Sequence, residues 1–211
     1  MPDFDWSLTQ GDRAVIPALV YIRLKEAIIR TRDRLQSQVR DGDVGYIAWL
    51  TRNLVELRVW AEYCSASEAN AQEFHEDAVR DLVELNMKVP GLDAATRVEL
   101  DNATSALANV KPAHRFKGVA DAADDVQLAE FYKQNNKCLS KFAHPTAVAV
   151  MAPIPAEDGV DHCREIGDVG SNIASAALSR LEEGCAGQSF RKYQRYIERM
   201  VREHPELGYT L

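Results

Sequence analysis

The chain has 211 residues, 32 acidic against 25 basic side chains for a net charge of −7, 46% hydrophobic residues, and only 11 glycines and 8 prolines. A chain of this length buries roughly 70–75% of its unfolded surface, which excludes disorder for most of it, and turn residues this scarce do not suit a sandwich or barrel of many short strands, which needs them about every 8–12 positions. The acidic balance excludes adhesion of the whole surface to nucleic acid or anionic membrane, since both require a broad positive field.

The N-terminal residues MPDFDWSLTQGDR carry no basic start and no long apolar run, and the apolar stretch from Ala14 to Ile22 is short and contains Pro17. Neither a secretion signal nor a membrane span is expected. Pro17 suits the first turn of a first helix running to about Val39, with Leu19, Ile22, Leu24, Ile28, Ile29 and Leu35 as its apolar stripe. Asp41-Gly42 closes it. Asp43 is placed to cap a second helix from Val44 to about Cys64, and Ser67 a third that runs to Val89, where Pro90-Gly91 stops it. Asp93 starts a fourth helix, which ends before Pro112, and Lys111 to Ala120 reads as a loop. A fifth helix is predicted from Asp121 to about Ala143, ended by His144-Pro145 because a residue before proline is pushed out of the helical region. Thr146 to Pro155 reads as an extended crossing segment with one short strand. A sixth helix covers about Glu157 to Glu183 and a seventh about Gln188 to Glu203, with Gly184 and Gly187 between them. These elements predict an all-α fold: an N-terminal extension at 1–16, one bundle of six to seven helices at 17–203, and a tail at 204–211.

The second helix is apolar in nearly every direction, through Ile47, Ala48, Trp49, Leu50, Leu54, Val55, Leu57, Val59, Trp60 and Ala61, so it is expected at the centre of the bundle. It nevertheless carries Arg52 and Glu56, four residues apart and able to pair. Two readings apply: an ion pair tying helices together, or a polar pocket lined by both side chains. On the fifth helix Leu128, Tyr132, Asn135, Leu139 and Phe142 have the spacing of a buried face. Beside them Tyr132, Asn136, Ser140 and His144 recur every four residues, with Lys133, Lys137 and Lys141 as a parallel basic stripe. A histidine that meets hydroxyl, amide and ammonium groups suits acid–base work or an anion site. The plainer reading is that His144 caps the helix by donating to its last carbonyls.

The segments TRNLVELRVWAEYC (Thr51 to Cys64), EFHEDAVRD (Glu73 to Asp81) and FYKQNNKCLSKFAHPTA (Phe131 to Ala147) resemble an uncharacterised family of bacterial helical proteins. That family is marked by Arg-x-x-x-Glu on an early buried helix and a Tyr…Ser-x-x-x-His-Pro element on a later one, and it is itself similar to the HEPN nucleotide-binding helical domains. The resemblance spans about Val44 to Ala147 and points to Arg52, Glu56, Tyr132, Ser140 and His144. HEPN ribonucleases use an Arg and a His four to six residues apart, the Arg stabilising phosphate charge and the His moving the 2′-OH proton without metal. In this chain Lys137 and Lys141 precede His144 and no Arg falls in that window, and lysine is a point charge that cannot grip phosphate bidentately.

Paired E-x-x-H motifs for a di-iron bundle are absent, as are a P-loop, a dinucleotide fingerprint, H-E-x-x-H and G-x-S-x-G, so no metal site and no cofactor is expected. Cysteines 64, 138, 163 and 185, with no metal-ligand spacing, read as reduced thiols of a cytoplasmic protein, mostly core filler. Arg191, Arg195, Arg199 and Arg202 form a basic ribbon on the last helix, either a solvated face or a track for phosphates or an acidic partner. Gly167, Gly170, Ser171, Ala174, Ser175 and Ala177 on the sixth helix permit close helix approach, within the monomer or at a homodimer seam. The leading functional expectation is a binding or regulatory domain with a polar pocket between the second and fifth helices, formed by Arg52, Glu56, Tyr132, Asn136, Ser140 and His144. Its expected partner is a small anionic ligand or RNA. The alternatives are a metal-independent HEPN-type ribonuclease with His144 as acid–base and Lys137 or Lys141 supporting phosphate, and a structural assembly protein in which the same groups fix helix register.

Overall fold

The structure, a computed structural model, describes residues 15–41, 43–88, 93–98, 101–102, 105, 117–144, 156–185, 191, 195, 198–199 and 202. The described elements are helical throughout: α1 (Ile16–Gln38) followed by a 3-10 turn (Val39–Asp41), α2 (Val44–Ala66), α3 (Glu68–Met87), α4 (Val119–Asp125), α5 (Ala129–Ala143) and α6 (Ala156–Cys185). Residues 94–98, 101, 102, 105, 191, 195, 198, 199 and 202 are helical as well. The all-α expectation holds. The segment expected to be extended at 146–155, the N-terminal extension before residue 15 and the tail at 204–211 lie outside the described residues. Among the described residues no helix is long and apolar enough to cross a membrane.

The chain divides by its internal packing into two compact units, one of residues 1–20, 68–117 and 188–211, the other of Tyr21–Ser67 and Gly118–Gly187. In the first unit Val15, Ile16, Ala18 and Val20 at the start of α1 are buried, as are Ala71, His75, Glu76 and Val79 of α3. Ala71, His75 and Val79 recur every four residues, which aligns them on one helix face. Burial lowers the His75 imidazole to about 4, so it is neutral in the fold. Asp77 accepts from the Lys117 amide at 3.2 Å and pairs with Arg80 at 3.5 Å. Asp93 caps its helix as its position predicts, accepting from the Thr96 amide and hydroxyl, both at 2.8 Å. The ribbon residues Arg191, Arg195, Arg199 and Arg202 are all exposed.

The second unit is built around α2. Its Ile47, Ala48, Leu50, Leu54, Val55, Val59, Ala61 and Cys64 are at most 1% exposed, which matches its all-round apolar sequence, and it packs against α4, α5 and α6. Burial of each large side chain stabilises the fold by about 1.5–3 kcal/mol relative to exposure. Asp43 caps α2, its carboxylate accepting from the Tyr46 amide at 3.0 Å. Tyr21, Leu24, Ile28 and Leu35 form the buried stripe of α1 in this unit, and the Tyr21 hydroxyl donates to the Cys64 carbonyl at 3.1 Å. Leu19, Ile22 and Ile29, expected in the same stripe, are only half-buried.

On α6 the small residues meet neighbours within the unit. A Cβ at Gly167 would lie 2.7 Å from Val39 Cγ2, and one at Gly170 would lie 2.6 Å from Leu35 Cδ2 and 2.8 Å from Thr51 Oγ1. A methyl group at either position would force these side chains to shift, because α6 closely approaches the 3-10 turn, α1 and α2. Cys64 and Cys163 are buried, as core filler should be, but Cys138 is exposed. Burial pushes the Cys64 thiol far up.

One expected element is corrected. The single fifth helix from Asp121 to Ala143 is two helices, and the first begins at Val119, within the expected loop. The break is a left-handed helix ending: Gln127 sits at φ 60°, the Leu128 amide donates to the Ala123 carbonyl at 2.7 Å, and the Gln127 amide to the Asp124 carbonyl at 3.2 Å. These two bonds satisfy carbonyls that a continuing helix would otherwise have used, and they redirect the chain into α5.

Candidate functional site

Helices α2 and α5 run antiparallel in register. Gly45 lies against the end of α5, where a Cβ would sit 3.2 Å from the Phe142 carbonyl. Arg52 meets Asn136 and His144, and Arg58 lies over the Phe131 ring with its guanidinium carbon 4.5 Å from the centroid. This register brings together residues 84 and 92 positions apart in sequence.

Arg52 is the hub. Its Nε–H donates to Asn136 Oδ1 at 2.7 Å, Nη1 donates to His144 Nε2 at 2.8 Å, and Nη2 pairs with Glu56 Oε1 at 3.4 Å. The Ser140 hydroxyl donates to the same Asn136 oxygen at 3.4 Å. Two chemical assignments follow. A guanidinium has only donors, so His144 Nε2 must be an acceptor and the ring proton resides on Nδ1. Likewise the Asn136 atom facing Arg52 must be the oxygen, so the amide Nδ2–H2 group points away from Arg52. Of the five N–H bonds of Arg52, three are committed among the described residues and two have no acceptor there. The side chain is 25% exposed, so these are within reach of solvent.

Tyr132 stands next to Glu56. Burial first, and the Glu56 carboxylate second, raise its phenol above the ordinary value while Arg52 opposes them, so the hydroxyl is neutral and able to donate. A groove of about 460 Å³ runs along the other side of the same stripe, lined by Asp124 of α4 and by Glu130, Tyr132, Lys133, Asn136, Lys137 and Ser140 of α5. Lys133 and Lys137 are exposed and have no ion-pair partner among the described residues. Asn136 and Ser140 thus belong to both features, the network on α2 and the groove on α4.

The residues expected to line one pocket between the second and fifth helices fall into a hydrogen-bonded seam between α2 and α5 and an adjoining groove between α4 and α5. Arg52, Glu56 and His144 are in the seam and not in the groove lining; Lys137 is in the groove. Lys141 is exposed beyond it. His144 occupies the C-cap position with extended backbone, φ −124° and ψ 156°, but its ring nitrogen Nε2 is turned to Arg52. Of the face expected to be buried on α5, only Leu139 is buried; Leu128, Tyr132, Asn135 and Phe142 are half-buried. Among the described residues no cluster of three or more His, Cys, Asp or Glu side chains is placed to hold a metal ion.

Two features escaped the sequence reading. Arg58 has Phe131 as its only partner among the described residues, and its Nε is buried without an acceptor. Tyr46 and Trp49 stack with ring centroids 5.8 Å apart and planes 14° apart, while remaining 37% and 41% exposed. Their three-residue spacing on α2 is the signal that could have found the pair.

No protein-family model matches the chain, and no curated protein and no solved structure is significantly similar to it.

Proposed function

We propose that this protein is a cytoplasmic, HEPN-like binding or regulatory domain that takes a small anionic ligand at the α2/α5 seam and the groove beside it. The observation that carries this reading is the direct contact of Arg52 with His144 at 2.8 Å. It fixes the histidine with Nδ1–H as a donor and, among the described residues, leaves two guanidinium N–H groups uncommitted beside a groove with an asparagine amide and two lysines that have no ion-pair partner there. Donors converging on one side of a helix are what a phosphate or carboxylate requires. The acidic net charge is no obstacle, because a small ligand responds to the local groups rather than to the whole surface.

The test is titration of the purified protein with inorganic phosphate and pyrophosphate by calorimetry, together with thermal denaturation. A ligand that binds only the folded state raises the melting temperature. Lys137→Gln should weaken binding and leave the melting temperature of the free protein unchanged, because Lys137 is exposed and has no ion-pair partner among the described residues. Absence of binding by any of these anions refutes the proposal and favours the structural assembly reading.

A second reading, a metal-independent ribonuclease, is favoured by the same contact: α2 supplies in space the arginine that the sequence lacks near His144. In it the Arg52 N–H groups would stabilise phosphate charge, and His144, its Nε2 released from Arg52, would take the 2′-OH proton as the base and return it to the leaving oxygen as the acid. Cleavage of single-stranded RNA in the presence of a chelator, lost in His144→Gln and Arg52→Gln, is its expected outcome. Persistence of any cleavage in those variants assigns it to a contaminant.

A further inference from the structure

The exposed aromatic pair on α2 stands beside the Arg52–His144 contact. Gly45, Trp49, Arg52 and Glu56 follow at steps of four, three and four, and so share one face of the helix. The end of α5 touches that face at two places, with the Phe142 carbonyl at Gly45 and His144 at Arg52. Trp49 lies between these two contacts, three residues and an axial rise of about 4.5 Å from Arg52. Tyr46 is on the first turn of α2, its backbone N–H held by the Asp43 cap at 3.0 Å, so the pair rests on a fixed support.

Two large rings at 37% and 41% exposure, nearly parallel and with centroids 5.8 Å apart, form a partly exposed aromatic platform. A third flat ring adds to such a stack in the same offset geometry. One turn along the same face Arg52 has two N–H groups with no acceptor among the described residues, and its partner His144 carries Nδ1–H, all donors. We infer that the anion site extends onto Trp49 and Tyr46, so that its ligand is an anion joined to a planar aromatic ring, the ring stacking on Trp49 and the phosphate or carboxylate meeting Arg52 and His144. This rests on the anion site proposed above and specifies its ligand. Nucleoside phosphates and aromatic carboxylates share the required chemistry.

The test compares ligands with and without a ring. AMP and ribose 5-phosphate form one pair, 4-hydroxybenzoate and acetate the other, titrated by calorimetry into the wild-type protein and into Trp49→Ala and Trp49→Phe. At least one ring-bearing member is expected to bind about tenfold or more tightly than its partner, which is within the range of one base–aromatic stack. The pair that shows the preference identifies the source of the ring. Trp49→Ala should remove the preference without weakening the ring-free anion, and Trp49→Phe should retain most of it; position 49 is exposed, and unchanged melting curves confirm the fold. Equal binding within both pairs overturns the platform and leaves the anion site standing. Loss of ring-free and ring-bearing ligands alike in Trp49→Ala also overturns it, since Trp49 would then act on the anion site. If no anion binds the wild-type protein, both readings fall.

Discussion

Asn136 faces two ways, and replacing it with aspartate separates its structural role from its role in binding. Its oxygen accepts from Arg52 Nε at 2.7 Å, while its amide hydrogens are turned away from Arg52, and the residue lines the groove. Asn136→Asp keeps an acceptor toward Arg52 and makes it anionic. A hydrogen bond with one charged partner contributes about 1.5–3 kcal/mol already, and a half-exposed ion pair adds at most about 1 kcal/mol, so fold stability should stay within about 1 kcal/mol of wild type. On the groove side the same change removes two donors and places a carboxylate oxygen near the ligand. Loss of a charge-assisted bond costs about 1.5–3 kcal/mol. Repulsion between unit charges about 4 Å apart adds about 1 kcal/mol at the dielectric constant of water, the appropriate limit for an open groove. The total of about 2.5–4 kcal/mol corresponds to roughly 60- to 700-fold weaker binding. Calorimetric titration with pyrophosphate and denaturant melts of the same preparation measure both quantities. A loss of more than about 2 kcal/mol of stability would mean that the Asn136 oxygen does not face Arg52, and unchanged affinity would mean that the amide does not face the anion. Asn136→Ala is the companion, expected to lose in both assays because it leaves the Arg52 Nε–H without its acceptor.

Gly170→Ala should destabilise the protein by about 1–2 kcal/mol, since overpacking against buried Leu35 and Thr51 outweighs a helix-propensity gain of about 1 kcal/mol, whereas Gly184→Ala, whose nearest neighbour would be Ser65 Oγ at 3.3 Å, should stay within about 0.5 kcal/mol in urea titration. His75 is held down to about 4 from an ordinary 6.5, so the unfolded chain takes up a proton before the fold does. Its contribution is fully present above pH 6.5 and is lost as pH falls through that value toward 4, amounting to about 3 kcal/mol; a His75→Asn variant should show a correspondingly flatter acid limb in stability against pH. Alkylation of the native protein, read by peptide mass mapping, should modify Cys138 rapidly and leave Cys64 and Cys163 untouched until denaturant is added. Equal rates at Cys138 and Cys163 would contradict the packing of α6.

The helices with strong chemical punctuation were legible in the sequence. Asp43 and Asp93 cap where their positions predict, and the apolar circumference of α2 does mark the central helix of its unit. The division of the fifth helix was not legible, because Val126, Gln127 and Leu128 include neither glycine nor proline and the left-handed turn falls on a glutamine. Nor does any linker signal the two units, since each is assembled from stretches that are not contiguous in the chain. At the candidate site the four-residue recurrence of Tyr132, Asn136, Ser140 and His144, and of Arg52 and Glu56, could be read directly. Their meeting could not, because it depends on the antiparallel register of α2 and α5, which is set by Gly45 against Phe142 and by apolar packing over the whole seam. The same register hid the Arg58–Phe131 contact.

Arg58 holds a consequence for anyone who wishes to harden this molecule. Arg52 has Glu56 and Arg180 has Glu62 at 3.1 Å, but among the described residues Arg58 keeps its charge half-buried against an aromatic face alone, with an Nε–H that no acceptor there reaches. Desolvation of that N–H works against the fold, and the flat contact with Phe131 is mostly one of shape and polarisability. A methionine spans a similar length and lies as readily against a ring. Position 58 is thus where thermal tolerance can be raised by removing a charge, at a distance from every donor on which the proposed ligand depends.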